Sequence, residues 1–176
     1  IMYVVTPVML VLLLALNIFT ILKVKAIEDG AGIDDTEDVA QENDVQIGGD
    51  YIIRATTQIS DAYKSGDTSK LSDADKETLD MAKRVLDEII TDGMSDYEKE
   101  LAVYEWMCAN IGFDDGSLEV IPNVGSEVDN PHGVLKYHQA VCVGYATTFR
   151  MFMQMMDIEC MVVHDSYLGH SWDLVK

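Results

Sequence analysis

The sequence predicts an α+β fold of helices packed on an antiparallel sheet, preceded by a transmembrane or signal helix. Three observations predict it. Ser72 to Thr91 and Ser95 to Ile111 each open on a serine start signal and carry apolar residues at helical spacing. A third helical pattern begins at Cys142. Two short β-rich runs follow it, residues 158–163 and 170–175, with a turn over 165–169 between them.

The elements are justified in order. Residues 2–22 are an apolar run interrupted only by Thr6, Pro7, Asn17 and Thr20. About 20 such residues span a bilayer core as a helix. A retained anchor, a cleaved signal and a buried core helix all fit the run. Signal h-regions are usually shorter, about 7–15 residues, which favours the anchor. Val24-Lys25-Ala26 is a small-x-small pattern that would suit cleavage. Residues 27–50 hold nine Asp and Glu and no Lys, Arg or aromatic residue. Such a segment buries too little apolar surface to offset ordering and is expected to be a disordered acidic linker. Its acids lack the spacing of a Ca²⁺ loop. From Tyr51 to Lys70, Ile52, Ile59 and Tyr63 loosely suit a helix that stops at Ser65-Gly66-Asp67.

Ser72 caps the next helix, whose buried face is Leu79, Ala82, Leu86 and Ile89 or Ile90. Ser95 and Glu98 form a capping box for the helix after it, with Tyr97, Leu101, Tyr104, Cys108 and Ile111 as the predicted buried stripe. Residues 114–130 read as a solvated loop or as the border of a binding groove. Residues 131–141 lead into the helix of Cys142, whose apolar face is Cys142, Ala146, Phe149, Met153 and Met156. In the last strand, His170, Trp172 and Leu174 share one face, and Ser171, Asp173 and Val175 the other.

The chemistry concentrates between Cys142 and His170, 28 positions apart (170 − 142). A thiol is a poor nucleophile near neutral pH unless a base takes its proton. A helix start carries unpaired N–H groups and the positive end of the helix dipole, and both favour thiolate. A helix leading into a hairpin could bring His170 beside that helix start. On periodicity alone, Cys142 reads more readily as a structural thiol.

AVCVGYATTFRMFMQMMDIECMVV followed by GHSWDLVK resembles the transglutaminase-like superfamily, in its bacterial branch. The upstream MSDYEKELAVYEWMCANIGFDD is similar to the helix pair that precedes the nucleophile there, so the resemblance covers roughly 72–176. It turns the reading of Cys142 toward a nucleophile. It implies a papain-like core with a Cys-His-Asp triad, acyl transfer through a thioester, Cys142 as nucleophile and His170 as base. It places the triad Asp on a strand after the His strand, beyond Lys176, so the domain over 51–176 is expected to be C-terminally incomplete. Departures from the pattern are Asp157 for Gly, Ser171 for Ala and Asp173 for Asn; Asp173 is a strand neighbour rather than the triad acid. The implied function is a cell-surface cysteine enzyme acting on protein or peptide amide bonds. The alternative is a non-catalytic binding or scaffold module of the same fold.

The remaining features bound this reading. A net charge of −19 argues against a nucleic-acid partner. There is no C-x-x-C, no H-E-x-x-H and no glycine-rich phosphate loop, so no metal and no cofactor is implied. Three cysteines give no disulfide framework, and Cys108 and Cys160 read as buried small hydrophobes. His132, His138 and His164 lack flanking patterns that would make any of them the base. Lys23 and Lys25 by themselves would put the chain after residue 22 in the cytoplasm. The acidic linker and the habit of the family instead favour a domain outside the cell, anchored or secreted through residues 2–22.

Overall fold

The computed structural model describes residues 43–47, 51–114, 127–165 and 167–176. The anchor or signal expected over 2–22, most of the acidic linker and most of the loop over 114–130 lie outside them. Among the described residues no helix is long and apolar enough to cross a membrane.

The described chain begins with a short antiparallel ladder, β1 (Val45–Ile47) on β2 (Tyr51–Ile53). This corrects the linker boundary, because residues 45–47 are ordered against the domain. Val45-Gln46-Ile47 breaks the run of acids, and Ile47 and Ile53 bury in a small cluster with Val141, Val143, Ala146 and Val162. That burial offsets the cost of ordering residues 45–47. Residues 51–53 are likewise a strand, and the expected helix starts later, as α1 (Thr57–Ser65). It ends where Gly66 adopts φ 77°, the left-handed conformation glycine takes at little cost.

Helices α2 (Asp73–Ile89) and α3 (Asp96–Asn110) both start on complete capping boxes, Ser72 with Asp75 and Ser95 with Glu98. Helix α2 buries Leu79, Ala82, Val85 and Leu86, close to the predicted face. The predicted stripe of α3 is corrected. Tyr97, Leu101, Tyr104 and Cys108 are exposed, while Val103 and Met107 are the buried residues of the helix, with Ile111 buried just after it. Residues 101–109 are apolar nearly all round, so periodicity does not select a face.

After α3 come β3 (Gly112–Phe113), a 3-10 turn (Glu127–Asp129), α4 (Pro131–Tyr137) and β4 (Gln139–Ala140), which pairs in parallel with β3. Then follows α5 (Cys142–Met155), the central element. It packs against α1, α3 and α4 and against the antiparallel hairpin of β5 (Cys160–Asp165) and β6 (His170–Val175). Met151, Phe152 and Met153 are fully buried, so the methionine-rich stretch is packing. Of the expected apolar face, Ala146 and Met153 are buried, while Cys142, Phe149 and Met156 are half-buried; Cys142 and Phe149 border a groove.

Candidate active site

Cys142 is the first helical residue of α5. Its neighbours Val141 and Val143 are buried, which fixes the backbone on both sides of the thiol. Val141 is extended and supplies no side-chain cap, so no side chain competes for the first-turn N–H groups. The start is seated by a hydrogen bond from Val141 N–H to Val128 O, 3.0 Å. The next three residues of the motif each have a physical task. Gly144 lets the Val128 carbonyl approach where a Cβ would stand 2.1 Å from it. Tyr145 donates its hydroxyl to Ile111 O at the end of α3, and its ring stacks on Phe113. Ala146 buries in the cluster with Val162 of β5.

His170 opens β6 opposite Asp165. Its ring packs beside Trp172 at 6.0 Å between centroids, and it is exposed. Cys142 and His170 line the same groove, a cavity of about 460 Å³ between α3, α5 and β6. No hydrogen bond joins the two side chains, and no carboxylate bonds His170 among the described residues. The other histidines are engaged elsewhere and do not line the groove. His132 Nε2 lies 2.9 Å from Glu77, His138 Nδ1 lies 3.0 Å from Asn110 O, and His164 Nδ1 lies 2.9 Å from Ser171 Oγ.

The three departures from the family pattern acquire local reasons. Ser171, where Ala is usual, is buried and uses its hydroxyl on His164. Asp157, where Gly is usual, adopts φ 59°, a conformation Asp tolerates better than most side chains. It also pairs with Lys64 at 3.0 Å. Asp173 faces the thiol of Cys160, 3.6 Å from its sulfur. Burial pushes the Asp173 carboxyl up to about 7, while the Cys160 hydrogen bond and Arg150 pull it down less. Burial, then the charge of Asp173, pushes the Cys160 thiol far up, so it stays protonated.

A pH dependence follows from Asp173. Below about pH 4 both folded and unfolded chains hold this proton. Between about 4 and 7 only the unfolded chain releases it, so the contribution of Asp173 to stability falls as pH rises, then levels off. In urea melts from pH 4 to pH 8, Asp173→Asn should gain on the parent across that window by on the order of 4 kcal/mol. A constant difference across it would count against the account.

One expectation is corrected here. Cys108 is exposed and lines the groove; it is not core. Glu100 and Tyr104, both on the groove wall, lie outside the residues that the sequence motifs mark. Their spacing with Cys108 at i, i+4 and i+8 is the signal that could have found them. All three cysteines are free. Among the described residues no group of three or more His, Cys, Asp or Glu side chains gathers as a metal site.

The family model of the transglutaminase-like superfamily matches residues 83–176. No curated protein matches the chain.

Proposed function

The chain belongs to the transglutaminase-like superfamily, and on that premise we propose that it is a cysteine enzyme acting on protein or peptide amide bonds, with Cys142 as nucleophile and His170 as base. The observation that carries this reading is the shared groove: a thiol at a helix start and an imidazole at a strand start line one cavity. His170 takes the Cys142 proton as sulfur attacks the carbonyl carbon. The carbonyl oxygen, now negative, is met by the backbone N–H of Cys142. On collapse the C–N bond breaks, the amine leaves with the proton from His170, and a thioester remains. Water, deprotonated by His170, then releases a carboxylic acid and restores the thiol. Hydrolysis is favoured over cross-linking because water needs no second amine site. The proposed setting is outside the cell, with residues 2–22 as anchor or signal.

The test is the rate of alkylation by iodoacetamide at pH 6, mapped by mass spectrometry. Cys142 should label about tenfold faster than free cysteine, Cys108 at the free rate, and Cys160 slowest because its proton is held tightly. His170→Ala should bring Cys142 down to the rate of Cys108. Labelling of Cys142 no faster than free cysteine removes the catalytic reading. One observation favours the second reading, a binding module: His170 lacks a hydrogen bond to either Cys142 or a carboxylate among the described residues.

A further inference from the structure

The groove beside Cys142 has walls of a particular composition. Helix α3 contributes Glu100, Tyr104 and Met107 along one face, and Phe149 of α5 and Trp172 of β6 complete an aromatic lining. Tyr104 and Trp172 are 58% and 37% exposed, so their ring surfaces are open to an occupant. Glu100 and Asp173 are the acidic side chains of the lining, which has no Lys or Arg, and burial keeps the Asp173 carboxyl partly protonated near neutral pH. Lys99, beside Glu100 in sequence, is already engaged by Asp96 at 2.9 Å. Glu100 itself has no hydrogen bond or ion pair among the described residues.

Three kinds of side chain can be compared in such a space. An acidic one would lose water beside a carboxylate of like charge. A neutral apolar one would cover the rings but leave Glu100 partly desolvated and unpaired. A basic one satisfies both walls, its aliphatic stem lying along Tyr104, Met107 and Phe149 and its cationic head meeting Glu100 with the aromatic faces beside it.

We propose that the α3 wall of the groove is a recognition subsite for the basic side chain, arginine or lysine, of a peptide whose neighbouring amide lies at Cys142. The proposal rests on the reading of Cys142 as nucleophile only for where the scissile amide sits. The subsite holds the side chain and does not consume it, which separates it from an amine that would attack a thioester. Arginine makes the distinction clean, because its guanidinium stays protonated and is no acyl acceptor.

The experiment uses the full chain with Cys142→Ser and four fluorescently labelled peptides. They are identical except for one residue beside the amide: arginine, its neutral isostere citrulline, norleucine or glutamate. Fluorescence anisotropy should show the arginine peptide binding about tenfold tighter than the citrulline one, a difference of about 1.4 kcal/mol. Glu100→Gln should bring the two to equal affinity, and Glu100→Lys should place the glutamate peptide first. Equal binding of arginine and citrulline peptides, survival of the preference in Glu100→Gln, or binding of none of the four overturns the subsite. Turnover of the same peptides by the parent chain is followed in parallel. Arginine preference without turnover supports the subsite and counts against the cysteine chemistry, while turnover without the preference does the reverse.

Discussion

Cys142→Ser is expected to lower kcat/KM on an amide substrate by at least about 10⁴-fold, the scale on which nucleophile replacements act in catalytic units of this kind. The two atoms are similar in size but not in acidity. A thiol near its reference pKa of about 8.5 gives up its proton to an imidazole with little driving force needed. A serine hydroxyl needs a base held in a fixed tautomer and orientation, and His170 is bonded to no carboxylate among the described residues. The start of α5 favours the anion by its dipole for thiolate as for alkoxide, but a contribution of about 1 kcal/mol does not close the gap. Hydrolysis of a fluorogenic peptide amide, with folding checked by circular dichroism, measures the effect. Activity within tenfold of the parent would mean that the reaction does not pass through this sulfur.

Gly144→Ala is expected to cost about 3 kcal/mol or more of stability, at the upper end of the range for overpacking. The added methyl would meet Val128 O at 2.1 Å and Val134 Cγ2 at 3.0 Å. The first neighbour is backbone, and Val128 O already accepts the Val141 N–H at 3.0 Å. Retreat of the 3-10 turn would therefore loosen the residue directly before the thiol. Gly66→Ala is the control: it has φ 77° but nothing within 4 Å of the added atom, so it should cost only about 1 kcal/mol of backbone strain. Urea midpoints of the two variants check the ranking. Equal losses would show that the close approach at Gly144 does not govern the packing.

The parts of the fold that the sequence disclosed are those whose causes are local. Each capping box is closed by residues three positions apart, so Ser72 and Ser95 announce α2 and α3 without reference to anything distant. The alternation of β6 was also legible: Ser171 is buried, while His170, Trp172 and Leu174 are exposed. What stayed hidden depends on partners far along the chain. The face of α3 is chosen by α5 and not by its own apolar pattern, so Cys108 changed from core to groove wall. The order of residues 45–47 depends on Val141 and Val143, almost a hundred positions away. The raised proton affinity of Asp173 arises from burial against α5 and β5, which no strand pattern discloses.

One arrangement has a kinetic consequence. Helix α5, β5 and β6 follow one another directly, so Cys142 and His170 come to line one groove through contacts short in sequence. Loops of this size close in well under a millisecond, and short-range topology speeds folding. The wall carried by α3 returns from further back in the chain. A nascent chain would then place Cys142 and His170 on one groove from a single contiguous stretch, and the α3 wall of that groove would depend on a longer-range docking step.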